Sequence, residues 1–563
     1  MTATGGSGFG SDLIVRMLGE LGITELAMNP GATIRGLHDS AVHDTAAGVR
    51  LVTCLHEDVA VAVAHGYARA TGRPMAVGLH DTVGLLHGAM ALFNAWVDRS
   101  PMVVLVGTGP LDTERRRPWL DWIHTVNDQG ELVREFTVWN SQPTSIPALR
   151  RSLQRAWRAA VGTPGGPAVV AVDVELQEAT GVDLSFSLDP DARVVSRVAP
   201  DPAVVAEVAR RLLAAERPLF VTDRQLGEGA SRALVDIAER AGAAVYDMGM
   251  GNIPVGHPHD VTDQAADALT AADLIVFVDV RDPGWALGKV DLASRGMSGE
   301  GVGTRAVSIG VEELIPSSWM VTRGDRPGWL ALTADPELGL RSLAGAWDAP
   351  RRPLPAVLAG LTGDRARWHD PEEGIGRGLL ARAVADAVGG RDYVIANGVL
   401  RGATRRAFRP ETPSRFLGIQ EGAGQGYGLP ASVGAALGLA GSGRLVVDLQ
   451  ADGDLLYAPQ ALWTLAHLRL PLLVVVDANR RYGQDALHQK VMERERGRAR
   501  IRPMPGIDIA DPPVDIAALA RSFGIAAEGP VGAGDELGPA LERAVEKVVG
   551  GEPALVEVLT VED

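Results

Sequence analysis

The residues best placed to do chemistry are Asp452 and Asn479. Asp452 lies in Ala451-Asp452-Gly453-Asp454, at the end of the apolar run Arg444-Leu445-Val446-Val447-Asp448-Leu449. Asn479 follows 27 positions later, ahead of Arg480-Arg481-Tyr482-Gly483. A carboxylate and an amide oxygen at two strand ends, with a helix-like stretch between them, make a hard-oxygen seat for Mg2+ holding a diphosphate. Alone, Asp-Gly-Asp reads as an ordinary strand-to-helix turn; the partner Asn479 makes it a ligand set. A second carboxylate of interest, Glu57, sits almost 400 residues earlier in Leu55-His56-Glu57-Asp58-Val59-Ala60, opening a run on to Gly66-Tyr67-Ala68-Arg69-Ala70-Thr71-Gly72. At the least, a Glu there favours the positive end of a helix dipole.

Such groups need rigid elements to hold them. Strand-like runs, among them Pro101 to Gly107, Ala168 to Asp173, Pro218 to Val221, Leu274 to Val280 and Ala554 to Val558, alternate with periodic helix-like runs. That alternation predicts an α/β chain of doubly wound parallel sheets with helices on both faces. A Pro- and Asp-bearing stretch from Leu188 to Pro202 reads as a linker, and a second break runs from Ala349 to about Glu373. Three consecutive units are therefore expected, over residues 1–187, 188–350 and 351–563. A length of 563 residues and 46% hydrophobic content suit several packed cores. The net charge of −16 argues against a general nucleic-acid binder. The single cysteine, Cys54, excludes an intrachain disulfide and suits a reducing compartment. Met1 to Gly10 have neither a basic start nor an apolar core, and no apolar run reaches 18 residues, so the expectation is a cytoplasmic protein with no signal peptide and no membrane span.

The Asp452 and Asn479 arrangement resembles the metal motif of the thiamine diphosphate enzymes, with the usual Gly-Asp-Gly present as Ala-Asp-Gly. The resemblance covers nearly the whole chain and implies pyrimidine, middle and diphosphate domains. It implies Asp452, Asn479 and the main-chain carbonyl of Arg481 as Mg2+ ligands, with Gly453, Asp454, Tyr482 and Gly483 around thiamine diphosphate. Glu57 becomes the carboxylate that drives the cofactor's aminopyrimidine into the imino form able to take the C2 proton. Glu421-Gly422-Ala423-Gly424-Gln425-Gly426-Tyr427-Gly428 reads as a glycine-rich loop lying against a flat ligand, with Gly424, Gln425 and Tyr427 as contacts. Relatives usually carry Met, Leu or Ile at the position of Gln425. In the family the cofactor lies between two subunits, which implies a homodimer at minimum and favours a homotetramer. The middle domain holds ADP, FAD, the nucleotide of CoA or nothing, with Arg281 as the candidate contact.

The substrate is signalled by several segments. Leu79-His80-Asp81 looks most like the matching loop of benzoylformate decarboxylases and 2-hydroxyacyl-CoA lyases, so His80 is a candidate active-site group beside His56 as a supporting residue. Asn127 and Gln129, after two tryptophans at 119 and 122, are candidates for facing the substrate. Arg494, Arg498 and Arg405 belong to two basic clusters suited to the phosphates of an acyl-CoA, or to a solvated charged face. Met492 and Glu493, on a short helix expected over Gln489 to Arg494, resemble the segment that carries the lyases' catalytic Glu. The sharpest expectation is a carbon-carbon lyase cleaving a short-chain 2-hydroxyacyl-CoA to formyl-CoA and an aldehyde or ketone. The alternative is a benzoylformate-type 2-oxoacid decarboxylase or an acetolactate synthase-like carboligase. A cofactor-binding protein without catalysis is the third, opposed by intact Glu57, Asp452 and Asn479.

Overall fold

The computed structural model describes residues 7–249, 251–287, 305–315, 329–363, 368, 370–418 and 422–561; Glu421, at the head of the glycine-rich loop, lies outside them. Three all-parallel sheets follow one another along the chain. The first orders its strands as Arg50–Thr53, Glu25–Met28, Met75–His80, Met102–Thr108, Pro167–Asp173 and Trp139–Ser141. The second runs Ala244–Asp247, Pro218–Thr222, Leu274–Val278, Arg305–Gly310 and Trp329–Thr333. The third runs Tyr393–Gly398, Leu445–Ala451, Leu472–Ala478, Ala554–Leu559 and Ala526–Val531. The strands Met102–Thr108 and Pro167–Asp173 are buried at every position, as expected of strands covered on both faces. A short antiparallel pair, Ser7–Gly8 with Val182–Asp183, accompanies them, and the described residues form an α/β fold built on the three parallel sheets. Among the described residues no helix is long and apolar enough to cross a membrane.

Strand register places the candidate residues. Ala451 pairs with Asp477 on the neighbouring strand, so Asp452 and Asn479 must leave the same sheet edge side by side. In the first sheet Met28 pairs with both Thr53 and Gly78, which brings Asn29, Glu57 and His80 to one C-terminal edge. That edge is where open parallel sheets receive ligands, because helix N-termini and loop side chains converge there.

The first and third sheets are locked together by helices Glu57–Thr71 and Gly428–Gly438, whose residues share one core with both sheets. Their backbones approach so closely that a Cβ on Gly66 would lie 1.8 Å from the Ala431 carbonyl oxygen, and one on Gly434 1.9 Å from that of Val63. Neither obstacle is a side chain that can swing away. Gly434→Ala is therefore expected to cost about 1–3 kcal/mol of stability, measured by urea unfolding, because the helix that carries Glu57 must shift.

The junction of the first two units is ionic. Arg281 is buried and pairs with Asp223 at 2.6 Å and Asp98 at 3.3 Å, while Asp98 also meets Arg69 at 2.9 Å. These cations hold the Asp98 carboxyl well below the usual carboxylate range against the opposing effect of burial. Arg281 is thus a structural bridge between carboxylates, which corrects the expectation of a nucleotide contact.

Candidate active site

Glu57 opens its helix as a buried residue, capped by His56, whose Nδ1 accepts from the Asp58 N–H at 3.1 Å. Asn29, one residue past its strand, donates Nδ2 to Glu57 Oε1 at 3.1 Å, and His87 Nδ1 lies 3.2 Å from Oε2. The carboxylate is thereby fixed in orientation from both sides. His80 ends its strand with Nδ1 accepting from the Thr33 N–H at 3.3 Å and meeting Thr33 Oγ1 at 2.8 Å. Its neutral ring therefore carries the proton on Nε2. Burial pushes the His80 pKa below the ordinary histidine value; the Asp81 and Glu57 charges oppose this, and His124 and Arg117 add to it. His124 stands edge-on to His80, with ring centroids 5.3 Å apart. Its buried Nδ1 has no hydrogen-bond partner among the described residues.

The turn after His80 is braced by Asp81, fully buried and left-handed at φ 50°. Its carboxylate accepts from the Thr82 N–H at 2.9 Å, Thr125 Oγ1 at 3.0 Å and Gln129 Nε2 at 2.6 Å. Gln129 is therefore corrected from a substrate-facing group to a buried brace that ties its segment to the His80 turn. Asn127, in the same segment, is exposed.

At the edge of the third sheet, Asp452 is buried, its Oδ1 accepting from the Gly453 N–H at 2.7 Å and its Oδ2 from that of Arg480 at 2.6 Å. Among the described residues only these backbone groups meet its charge, and burial pushes its pKa up to about 6. Asn479 Oδ1 accepts from the Arg481 N–H at 3.0 Å, so both oxygens turn onto one loop. That loop is held by the segment beyond it: Tyr482 donates its N–H to the Ile507 carbonyl, Ile509 to that of Arg480, and Arg481 pairs with Asp508 at 3.2 Å. A buried carboxylate lacking a cation, beside an amide oxygen, fits the donor set Mg2+ requires. Tyr482 covers Gly453 so closely that a Cβ there would sit 2.9 Å from the ring, and a Cβ on Gly483 would sit 3.4 Å from Asn479 Nδ2.

Asp454 does different work from the cofactor contact expected of it. It is buried under the glycine-rich loop and accepts from the N–H groups of Gly426 at 2.7 Å and Gly428 at 3.0 Å. Gly426 is left-handed at φ 87°, which glycine adopts without strain. Asn94, on helix Ala89–Val97, clamps Gly424 through both its N–H and its carbonyl, each at 3.1 Å. Tyr427 is buried with its ring 4.8 Å from that of His65, whereas Gln425 is exposed. Within the loop Gly424 and Gly426 are buried, and Ala423 and Gln425 are exposed.

Two family models match this chain: the thiamine pyrophosphate enzyme N-terminal TPP binding domain over residues 9–132, and the C-terminal TPP binding domain of the same enzymes over 397–558. The chain belongs to the thiamine pyrophosphate enzymes. Benzoylformate decarboxylase of Pseudomonas aeruginosa is 28% identical over 556 residues, covering 96% of each chain. Acetolactate synthase 1, chloroplastic, of Oryza sativa subsp. japonica is 25% identical over 508 residues, covering 84% of this chain and 73% of its own. The crystal structure of benzoylformate decarboxylase from Polynucleobacter necessarius superposes with a TM-score of 0.79 over 98% of each chain at 21% identity, a likeness of fold.

In this thiamine pyrophosphate enzyme the basic clusters separate. Arg405 is buried and paired with Asp260 and, at 3.3 Å, with Asp263 of the middle unit, so it is corrected from a phosphate ligand to an internal ion-pair partner. Arg494 and Arg498 are exposed, as are Arg496, Arg500 and Arg502. The helix expected over 489–494 extends over Gly483–Glu495. Met492 is half-buried on it and Glu493 is buried. Glu493 Oε1 accepts from Gln489 Nε2 at 3.4 Å and the Ile501 N–H at 3.3 Å, while its buried Oε2 has no hydrogen-bond partner among the described residues.

Asn29, His87, Asn94 and His124 were not singled out from the sequence. Position was the available signal for Asn29, which directly follows a strand of a parallel sheet, where polar side chains reach the ligand edge. For His124 the signal was a histidine in a segment already marked by two tryptophans.

Proposed function

We propose that this enzyme is a thiamine diphosphate- and Mg2+-dependent decarboxylase of 2-oxoacids, of the benzoylformate type. The observation that carries the reading is the His80 and His124 pair beside Glu57. In this reading Asp452, Asn479 and the carbonyl of Arg481 hold Mg2+ and the diphosphate, and Glu57, aimed by Asn29, meets the pyrimidine nitrogen. When bound, thiamine diphosphate supplies the electron sink that lets the bond to the carboxylate carbon break. His80 offers its Nε2 proton to the 2-oxoacid, and the two imidazoles return the proton that an aldehyde product needs once CO2 has left. Trp122 and Ile123, exposed beside His124, suit an aromatic or branched substituent. A complete site needs a second chain, making the enzyme a homodimer or a tetramer of paired dimers.

A second reading, 2-hydroxyacyl-CoA lyase, draws on one observation: Glu493 is a buried carboxylate with an unsatisfied oxygen next to the exposed Arg494 to Arg502 stretch. There Glu493 takes the substrate hydroxyl proton, and the arginines hold CoA phosphates. The holoenzyme incubated separately with benzoylformate, pyruvate and 2-hydroxyisobutyryl-CoA separates the readings by what is consumed. Glu493→Gln is expected to leave turnover of the 2-oxoacid within about twofold. Consumption of the CoA ester alone, with a loss of roughly 10- to 1000-fold in Glu493→Gln, replaces the decarboxylase by the lyase.

A further inference from the structure

At the first-sheet edge, three side chains from two helices converge on one small volume. His56, Glu57 and His87 each offer a metal-ligating atom, and the three atoms all lie within 4.8 Å of one another. His56 caps helix Glu57–Thr71, His87 closes helix Asp81–His87, and their rings stack with centroids 5.0 Å apart and planes 27° apart. One pair, His87 Nδ1 and Glu57 Oε2, stands at 3.2 Å. Two ligands bound to one tetrahedral ion at about 2.0–2.2 Å are separated by roughly 3.2–3.6 Å, so this pair already has the span of a chelate. Asn29 holds Glu57 Oε1 and so turns Oε2 toward the imidazoles, the orienting hydrogen bond that metal-binding carboxylates usually have. Burial lowers the His56 pKa, favouring the neutral ring a metal requires; the Glu57 charge opposes this and His87 adds to it.

We propose that His56, Glu57 and His87 form a binding site for a divalent transition metal of the Zn2+, Co2+ or Ni2+ kind, distinct from the oxygen-lined seat at Asp452 and Asn479. Two imidazoles and one carboxylate prefer such ions to Mg2+, which takes oxygen ligands. A metal seated here occupies the Glu57 oxygen. Resting on the role proposed above for Glu57, it therefore competes with thiamine diphosphate and acts as a chelator-reversible inhibitor.

The test is calorimetric titration of Zn2+ into the full-length, cofactor-free protein in excess Mg2+. One strong equivalent per chain is expected. His87→Ala, at a side chain that is 60% exposed and so removable without opening the core, is expected to weaken binding at least tenfold, as is His56→Ala. Asp452→Ala is expected to leave the affinity unchanged. Absence of binding, or equal affinity in the parent and both histidine variants, overturns the site and reduces the His87 and Glu57 contact to an ion pair. Saturating thiamine diphosphate is expected to weaken Zn2+ binding at least tenfold. Zn2+ binding that depends on His87 but ignores thiamine diphosphate keeps the metal site and overturns instead the role given to Glu57.

Discussion

Glu57→Gln is expected to fold, to bind thiamine diphosphate and Mg2+ within several-fold of the parent, and to lose roughly 100- to 10,000-fold in kcat. The shape of the side chain is kept, so Asn29 can still hold the oxygen at 3.1 Å. What disappears is the carboxylate, and with it the exchange of a proton at the pyrimidine nitrogen. Exchange of the cofactor C2 proton for deuterium, followed by NMR after acid quench, reads this step without any substrate. It is expected to slow by a similar factor. Parental exchange and parental turnover in the variant remove Glu57 from the mechanism.

Asp452→Ala is expected to act on binding. The carboxylate is the charged member of the proposed Mg2+ ligand set, and its neighbour Asp454 does not replace it, being committed to Gly426 and Gly428. Affinity for thiamine diphosphate with Mg2+ is expected to fall by at least 100-fold. A ligand at 100 times its Kd stabilises a folded protein by about 2.7 kcal/mol, and that gain is lost with the site. The thermal shift seen on adding cofactor to the parent is therefore expected to vanish in the variant. In the cofactor-free state the variant is expected to be no less stable than the parent, because a buried carboxylate raised to about 6 has been removed. An undiminished thermal shift contradicts the placement of the diphosphate.

The residues whose place was legible in the sequence are those positioned by where a strand ends. Asp452, Asn479 and Glu57 each sit just past a strand of a parallel sheet, and the sheet edge does the rest, so spacing along the chain carries the information. The sheets were legible for the same reason: fully covered strands such as Pro167–Asp173 are continuous apolar runs. Residues whose role depends on a distant partner were not. Arg405 reads as a surface cation until Asp260, 145 positions away, is seen beside it. Gln129 reads as a free amide until Asp81, 48 positions earlier, is seen to hold it. The helix Gly483–Glu495 was underestimated because only Ala486 and Glu493 are buried along it, leaving no apolar stripe for periodicity to detect. Gly66 and Gly434 sit in helix interiors where glycine costs stability, and only the close crossing of their helices explains them.

In the proposed enzyme one cofactor joins the Glu57 edge of the first sheet to the Asp452 and Asn479 edge of the third. A crystal structure of the protein grown with thiamine diphosphate and Mg2+ tests it most directly. Mg2+ is expected at about 2.0–2.1 Å from an Asp452 carboxylate oxygen and from Asn479 Oδ1, with a pyrimidine ring nitrogen within about 2.6–3.2 Å of a Glu57 oxygen supplied by a second copy of the chain. A diphosphate held away from Asp452 and Asn479, or a pyrimidine that no Glu57 reaches, contradicts it.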